Sequence, residues 1–320
     1  MKIAAIDIGS NALRLLIKDT AQPDFLDTLD TVGKNDYYER VPLKSGMDVF
    51  AKGEILPQTK LKLTLALQHF AKKMEEHGVI THEHDIKNYR AVATSAYRDA
   101  KNGREVIEAA GKESGLHIEV ISGDEEARLT HLSFIPPKQW AKDYFVFVDV
   151  GGGSTEISLL HEGNLLYGHS FQVGSMRYLC GKQDEAEVQA LDAKVADIFR
   201  QHAPLHYIAT GGCVKFMNNY LNQGTPAAAA GVDSHSNKDN GGLVEVSRMQ
   251  AVYQDLKKKT VTQIVDDYNL PAERADILTP AASIFLRIAK GLEAEEIIVP
   301  AIGVRNGILA ELYLGMQKAQ

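Results

Sequence analysis

Two apolar runs of the chain each end in the sequence Asp-x-Gly, in which x is one apolar residue. Near the N-terminus, "IDIGSNALRLL" spans residues 6–16, and "YFVFV" runs directly into "VDVGGGSTEIS" at residues 148–158. A run without polar interruption is typical of a strand that is covered on both faces. Because each segment continues into a second apolar run, each predicts a strand, a tight turn and a returning strand.

The two segments indicate an internal repeat. Asp7 and Gly9 correspond to Asp149 and Gly151. A second pair follows in the same order: "YRAVATSAYRDA" at residues 89–100 and "YIATGGCVKFMN" at residues 207–218 each carry an apolar strand that ends in Ala-Thr and opens into a helix. Two matches in one order predict two α/β domains of one fold that face each other.

Apolar residues at helical spacing predict the helices of the remaining chain. They indicate helices over residues 61–77, 185–201, 280–290 and 307–316, the first of them ending before Gly78, a typical residue after a helix end. Residues 225–242 show no periodicity and predict a mobile loop, or a short frayed helix followed by a loop.

Composition narrows the class of protein. The chain has 320 residues, enough for two domains, with 44% hydrophobic and 24% charged residues and a net charge of −7. This charge argues against a partner such as nucleic acid or a membrane surface, which needs a broad basic field, but not against a small anionic substrate. Cys180 and Cys213 show no metal-ligand spacing, and no stretch is apolar for the roughly 18 residues of a membrane span. We therefore expect a cytoplasmic protein.

The glycines after Asp149 bear directly on binding. Gly151, Gly152 and Gly153 remove every β-carbon from the turn, so that backbone N–H groups can point at one oxyanion at close range. The strand-to-helix turns of the second repeat offer helix N-termini for another anion. Phosphate is the ligand that this pattern favours, although a glycine-rich hairpin with nothing bound is an alternative that the residues alone leave open.

The motifs then resemble those of a known family. The paired Asp-x-Gly hairpins are similar to the ATPase superfamily of actin, sugar kinases and large heat-shock chaperones. More narrowly, "IDIGSNALRLLI", "ATSAYRDAKNG", "ISGDEEARLTHL", "VDVGGGSTEIS", "ATGGCVK" and the weaker "GVRNGIL" resemble the exopolyphosphatase and guanosine pentaphosphate phosphatase (Ppx/GppA) family. This resemblance implies two actin-like, ribonuclease H-like domains of duplicated topology with an active-site cleft between them. We expect residues 1–124 plus 303–320 to form the first domain and residues 125–302 the second.

The resemblance also implies an activity. Members of this family split phosphoanhydrides with Mg²⁺, and Mn²⁺ is an alternative metal. We therefore expect an exopolyphosphatase that removes the terminal phosphate of inorganic polyphosphate. Two alternatives stay open: a 5′-phosphohydrolase of guanosine pentaphosphate (pppGpp), with a role in the stringent response, and a sensor of polyphosphate or nucleotide without turnover. The oligomeric state is also open, with a homodimer as one alternative.

By the family's motifs, each candidate site residue receives a role. Glu126 is the expected base for water, with Glu125 as its neighbour, although "EEAR" taken alone indicates only an acidic helix start. Asp149 and Glu156 are the expected metal ligands, with Asp7 as the matching carboxylate of the other domain. The expected phosphate-binding residues are Ser10, Asn11, Arg98, Gly151, Gly152, Gly153, Ser154, Gly211, Gly212, Lys215 and Arg305.

Three departures from the family pattern affect the substrate more than the chemistry. Cys213 replaces a common threonine or serine, and because a thiol is a weaker hydrogen-bond donor we expect a softer phosphate contact there. Asn306 stands in place of an acid in "GVRNGIL". Longer family members carry a C-terminal helical extension that adds polyphosphate-binding surface, and these residues show no His-Asp pair of that kind. From this we expect distributive action and a preference for short chains.

Overall fold

The computed structural model of the chain describes residues 1–22, 24–80, 88–134, 140–222 and 242–318. Contacts divide the chain into two compact units: unit 1 comprises Met1–Phe134 and Ile302–Gln320, and unit 2 comprises Ile135–Ala301. The boundary predicted between residues 124 and 125 lies inside a helix of unit 1, Gly123–Leu132. Residues 225–241 of the predicted loop lie outside the described residues, and Gly242 begins a strand.

Unit 1 combines a mixed sheet with helices and takes its last helix from the C-terminal end of the chain. Its strands are β1 (Lys2–Ile8), β2 (Ala12–Asp19), β3 (Tyr37–Pro42), β4 (Tyr89–Ala93) and β5 (Ile118–Val120). Its helices are α1 (Ser45–Lys52), α2 (Pro57–Glu76), α3 (Ser95–Asp99), α4 (Gly103–Ser114), α5 (Gly123–Leu132) and, after unit 2 in the chain, α12 (Val304–Lys318).

Unit 2 has a second mixed sheet with its own helices. Its strands are β6 (Tyr144–Val150), β7 (Thr155–His161), β8 (Asn164–Phe171), β9 (Leu205–Thr210), β10 (Gly242–Glu245) and β11 (Glu296–Val299). Its helices are α6 (Ser175–Leu179), α7 (Glu185–His202), α8 (Gly212–Leu221), α9 (Val246–Leu256), α10 (Val261–Tyr268) and α11 (Ala272–Gly291).

The two sheets share one topology. The strand order is β3-β2-β1-β4-β5 in unit 1 and β10-β11-β9-β6-β7-β8 in unit 2. In each, an antiparallel meander of three strands continues into two parallel strands, and β10 adds an antiparallel strand at the edge of the second sheet. This repeat confirms the predicted α/β fold of two actin-like domains with duplicated topology. The cleft expected with that fold stays a prediction.

Helix α12 belongs to the core of unit 1. Val304, Ile308 and Leu309 are buried in one cluster with residues of β1, β2 and α5. Gly307 lets α12 approach α5 closely, because a β-carbon at this position would lie 1.6 Å from the Leu129 carbonyl oxygen. The end of the chain therefore completes the hydrophobic core that its beginning starts.

The predicted helices are found, with different limits. Helices α2 and α7 match the predictions closely, and His77 and Gly78, with φ +71°, follow α2 as expected. Helix α11 begins at Ala272, eight residues before the predicted start at Pro280, which lies inside the helix. Pro280 does not mark the start of this helix, because the buried residues before it extend the apolar face. These residues are Ala275, Ile277 and Leu278. Among the described helices, none has the length and apolar character needed to cross a membrane.

Candidate functional site

In unit 1, the β1–β2 hairpin places Asp7 directly opposite Arg14. The Arg14 guanidinium donates from Nη1 to Asp7 Oδ2 at 2.8 Å, and the side chains are 24% and 11% exposed. Gly9 closes the turn, since its N–H donates to the Ala12 carbonyl oxygen at 3.1 Å. The carboxylate that we expected to serve a metal therefore has an arginine as an ion-pair partner.

The turn of this hairpin is bound to the segments around it. The Ser10 carbonyl accepts from Gly46 N at 2.8 Å, and Ser10 Oγ lies 2.8 Å from Ser95 Oγ at the start of α3. Asn11 Oδ1 is buried and has no hydrogen-bond partner within the described ranges of the chain. A buried amide oxygen without a donor is costly. It marks a point where a ligand or water could bind.

Arg98 and Glu126 form the second pair of unit 1. Arg98, near the end of α3, donates from Nη1 to the Ile121 carbonyl oxygen at 2.9 Å and to Glu126 Oε2 at 3.3 Å. Glu126, in the first turn of α5, is only 8% exposed. Arg98 Nη2 is buried and finds no acceptor in the part of the chain that the structure describes. Because a buried guanidinium N–H needs an acceptor, this geometry favours an oxyanion beside Glu126.

Glu125 has different partners from its neighbour Glu126. Arg128 donates to Glu125 from Nε at 2.6 Å and from Nη2 at 2.9 Å, and Arg90 Nη1 lies 3.0 Å from it. The Arg128 hydrogen bonds lower the pKa of Glu125 against the opposing effect of burial, and Arg90 lowers it further. Both arginines also bind Glu311 of α12. Since a carboxyl with a lowered pKa is a weaker base, the arrangement makes Glu125 a poor candidate for the proton acceptor.

In unit 2, Asp149 on β6 and Glu156 on β7 are register partners. Glu156 is 3% exposed, and its Oε1 accepts a hydrogen bond from Ser170 Oγ of β8 at 2.7 Å. Two carboxylates directly opposite each other repel unless a proton or a cation lies between them. The strand register therefore places two carboxylates side by side, an arrangement that can bind a cation.

The glycine turn between these strands has its carbonyl groups bound on one side. The Gly151 carbonyl accepts from Ser175 N at 3.0 Å, and the Gly152 carbonyl accepts from Met176 N at 2.8 Å. The Gly153 carbonyl accepts from Arg177 Nε at 3.0 Å. In a trans peptide the C=O and the following N–H point in opposite directions.

The direction of the N–H groups follows from these bonds. The N–H groups of Gly152, Gly153 and Ser154 point away from the residues that bind the carbonyls. Successive backbone N–H groups on one side of a turn form a concave site for an anion.

The start of α8 adjoins Asp149. Gly211 has φ +113°, and a β-carbon there would lie 3.3 Å from Asp149 Oδ1 and 3.0 Å from the Val150 carbonyl oxygen. Gly212 has open space at its β-carbon position, and no side chain caps the helix. Lys215 is half-buried in the first turn of α8. These features suit an anion near the helix start.

Cys213 does not take the predicted place. Its Sγ lies 3.9 Å from the Ile277 carbonyl oxygen of α11 as a hydrogen-bond donor, and burial raises the pKa of the thiol to about 12. The expectation of a soft phosphate contact from this side chain is therefore wrong, because the helical turn directs it into the core of unit 2.

The C-terminal candidates lie in the first turn of α12. The Arg305 guanidinium lies over the ring of Tyr38, 5.0 Å from its centroid. Asn306 is 1% exposed, and its Nδ2 donates to the Leu29 carbonyl oxygen. An acid in that place would set a carboxylate against a carbonyl oxygen, which explains why an amide is accommodated here.

Sequence reasoning missed two features. The first is Arg14, which the motifs give no role but which pairs with Asp7. The second is the segment "QVGSMR" at residues 172–177, which binds the glycine turn although its sequence predicts no role at the site. Its one signal is Gly174, whose β-carbon would lie 2.4 Å from the Gly152 carbonyl oxygen.

The donors of unit 2 fit a hard divalent cation. No group of three or more His, Cys, Asp or Glu side chains suited to a metal occurs among the described residues. Asp149 and Glu156 are nevertheless a suitable pair for Mg²⁺, which keeps several waters and takes one or two carboxylates together with substrate oxygens. Asp7, the third predicted ligand, lies in unit 1.

Comparisons with known proteins converge on one family. A model described as the Ppx/GppA phosphatase family matches residues 39–315. The protein named exopolyphosphatase 2 of Mycobacterium tuberculosis is 34% identical over 182 residues, which cover 55% of this chain and 53% of that protein. The protein named guanosine-5′-triphosphate,3′-diphosphate pyrophosphatase of Photobacterium profundum is 21% identical over 98% of this chain and 60% of that protein.

The chain spans about half the length of the curated relatives that it matches. Among solved structures, an exopolyphosphatase from Cytophaga hutchinsonii superposes with a TM-score of 0.79 at 20% identity, covering 98% of each chain. At that identity the likeness shows the fold.

Proposed function

This chain belongs to the Ppx/GppA phosphatase family, and on that premise we propose that it removes the terminal phosphate of inorganic polyphosphate by hydrolysis. In this reaction the oxygen of water forms a bond to the terminal phosphorus and the phosphoanhydride P–O bond breaks. The shortened chain leaves with the electron pair, and the water proton passes to a base. Relatives named exopolyphosphatase support polyphosphate as the substrate.

The observation that carries the proposal lies in unit 2, where a glycine turn with N–H groups suited to an anion stands next to a pair of carboxylates. The N–H groups of residues 152–154 lie on one side of a turn that is flanked directly by Asp149 and Glu156. Donors to equatorial phosphate oxygens, next to ligands for a cation, are what phosphoryl transfer requires.

Magnesium is the cofactor that we propose for this pair, with manganese as the alternative. When bound, the cation would neutralise charge on the phosphate oxygens and on the oxygen that leaves. Asp149 and Glu156 would hold it, and Ser170 would orient Glu156 through the hydrogen bond to its carboxylate.

Glu126 of unit 1 is the base that we propose for water. It is buried next to Arg98, whose Nη1 fixes the position of one carboxylate oxygen and whose Nη2 is available for a phosphate oxygen. Holding the base in a single orientation reduces the entropy cost of aligning it with water.

pppGpp is a second candidate substrate. The Photobacterium profundum relative, whose name describes hydrolysis of such a nucleotide, aligns with nearly the whole of this chain. The terminal phosphoanhydride of pppGpp would need the same groups of the site, so the two substrates differ only in what is attached to the leaving oxygen.

The test is phosphate release from short polyphosphate, long polyphosphate and pppGpp with Mg²⁺. We expect Glu126→Gln to lower kcat by at least about a hundredfold, which is the effect of losing a general base. The matched control is Glu108→Gln, which makes the same chemical change at an exposed position of α4. The control should keep the activity of the wild type, and the substrate with the highest kcat/KM names the enzyme.

Two results would contradict parts of this proposal, the first the role of the base and the second the activity itself. Equal activity of the wild type and Glu126→Gln would remove Glu126 from the chemistry. If no substrate released phosphate but polyphosphate or pppGpp raised the melting temperature of the chain, the protein would be a ligand sensor rather than an enzyme.

A further inference from the structure

The glycine turn owes its conformation to a neighbouring segment, residues 172–177, which we call the support segment. The distances to its donors show which part of the turn depends on a side chain. The Gly151 carbonyl accepts from Ser175 N and from Ser175 Oγ, at 3.0 and 3.1 Å. The Gly152 carbonyl accepts from the backbone N–H groups of Met176 and Arg177, at 2.8 and 3.1 Å.

The third carbonyl is held differently. Within the described parts of the chain, the donor to the Gly153 carbonyl is the Nε of Arg177, at 3.0 Å. Backbone donors fix the first two peptides of the turn whatever side chains follow. The peptide between Gly153 and Ser154 depends on the side chain of Arg177, and with it the direction of the Ser154 N–H.

Arg177 is itself held in place. Its Nη2 donates to Gln172 Oε1 at 2.7 Å, while the Gln172 N–H donates to Glu187 Oε2 of α7 at 2.8 Å. The planar guanidinium can serve Gly153 and Gln172 together because its N–H donors diverge at fixed angles. Hydrogen bonds through the side chains of Arg177, Gln172 and Glu187 therefore link the turn to α7.

The support segment also fits the turn in shape. At Gly174 a β-carbon would lie 2.4 Å from the Gly152 carbonyl oxygen and 2.5 Å from the Gly153 carbonyl carbon. No larger residue could stand there without moving the turn. The close approach at Gly174 and the guanidinium of Arg177 therefore both act on the peptide between Gly153 and Ser154.

We propose that Arg177 is a positioning residue for the phosphate site, acting through the Gly153 carbonyl to aim the Ser154 N–H at the bound anion. The inference rests on the proposed function, since the anion is taken to be a phosphate of the substrate. Arg177 is assigned no contact with that phosphate. Its role is to fix one of three donors.

The test follows the three amide groups directly. Full-length protein labelled with ¹⁵N-glycine and ¹⁵N-serine is titrated with imidodiphosphate, an analogue of a phosphoanhydride that resists hydrolysis, in the presence of Mg²⁺. We expect the amide signals of Gly152, Gly153 and Ser154 to shift in the wild type, because an amide that donates to an anion changes its chemical shift. In Arg177→Met we expect the Ser154 response to vanish while both glycine responses remain.

The affinity for imidodiphosphate should fall roughly tenfold in Arg177→Met, the size of effect expected for one hydrogen bond to a charged group. Gln172→Met should weaken binding in the same direction without any change in charge, because it removes the second anchor of the guanidinium. Arg200→Met is the matched control, since the Arg200 side chain on α7 is 74% exposed. It should bind like the wild type.

The possible outcomes distinguish a failure of this inference from a failure of the proposed function. If Arg177→Met kept the Ser154 response and the wild-type affinity, the inference would be wrong, and phosphate release by the wild type would leave the proposed function standing. Loss of all three responses together with a lower melting temperature would give Arg177 a merely structural role and would also overturn it. A wild type that neither shifts these amides nor releases phosphate would contradict the proposed function itself.

Discussion

Cys213 shows how the chemistry of a residue depends on the face of the helix it occupies. It follows two glycines at the start of α8, yet its thiol donates towards the Ile277 carbonyl, and burial raises its pKa to about 12. At neutral pH such a thiol is protonated and reacts slowly with electrophiles.

We predict that iodoacetamide at pH 8 leaves Cys213 unmodified in the folded chain, because both the raised pKa and burial oppose formation of an accessible thiolate. Mass spectrometry of the Cys180→Ser variant, in which Cys213 is the remaining thiol, measures this. The same variant in denaturant supplies the control and should react fully. Rapid modification without denaturant would show that the thiol faces solvent.

Glu125 leads to a prediction about pH. Its pKa is lowered from an ordinary value of 4.5 by Arg128 and then by Arg90. A carboxyl with a lower pKa in the folded chain than in the unfolded chain stabilises the fold at pH values above the unfolded pKa. This stabilisation is lost as the pH falls from about 4.5 through the folded pKa.

We therefore expect Glu125→Gln to lower the free energy of unfolding by roughly 1.5 to 3 kcal/mol at pH 7, the range for hydrogen bonds to charged groups. The difference from the wild type should shrink as the pH falls below about 4.5. Urea unfolding at several pH values measures it, with Glu108→Gln as the control at an exposed position on α4. A difference that stayed constant down to pH 3 would contradict the assigned ion pair.

At the scale of the elements, α5 and α12 pack so closely at Gly307 that there is no room for a side chain. A β-carbon on Gly307 would lie 1.6 Å from the Leu129 carbonyl oxygen, so any side chain there must separate the helices. α5 carries Glu126 and α12 fills the core of unit 1, so their spacing affects both stability and the candidate base.

We predict that Gly307→Ala destabilises the protein by more than about 3 kcal/mol, at the upper end of the cost of overpacking. The usual gain in helix propensity from glycine to alanine, about 1 kcal/mol, would be reversed. Gly315→Ala tests this propensity effect in the same helix, because its β-carbon position has no neighbour within 4 Å. Thermal unfolding of both variants measures the contrast, and a stabilised Gly307→Ala would contradict the close contact.

The elements also show which parts of the fold can be predicted from the sequence. Both hairpins followed from apolar runs that end at Asp-x-Gly, and the strand-to-helix turns followed from apolar strands that end in Ala-Thr, because these patterns are local. Their shared order along the chain indicated the duplication. The support segment could not be found in this way, since its contact with the glycine turn joins residues about 24 positions apart and is made largely by backbone N–H groups, which leave no pattern in the sequence. The burial of Lys18 could not be predicted either, because it lies in an otherwise apolar strand. Its side chain is fully buried, and its Nζ binds Asp36 Oδ2 at 2.9 Å.

At the scale of the whole molecule, the chain builds one topology twice, and the second copy is inserted into the first. Unit 2 is continuous in sequence, whereas unit 1 needs both ends of the chain. Ile308, Leu309 and Ala310 of α12 are at most 1% exposed and pack with Ile3 and Leu16 of the first hairpin. The first hairpin therefore lacks part of its core until the C-terminal helix has been made.

We predict that a chain ending at Ala301 loses the native structure of unit 1 and keeps that of unit 2, because only unit 1 would lose core residues. Hydrogen exchange should show fast-exchanging amides in β1, β2 and β4 and protected amides in β6, β7 and β9. A chain ending at Met316 is the matched control, since Gln317 and Lys318 are exposed and the buried residues of α12 all precede them. A milder perturbation, Leu309→Ala, should cost about 2 to 5 kcal/mol. Retained protection in β1 and β2 without α12 would show that the first hairpin has a sufficient core of its own, and the dependence of unit 1 on the end of the chain would be wrong.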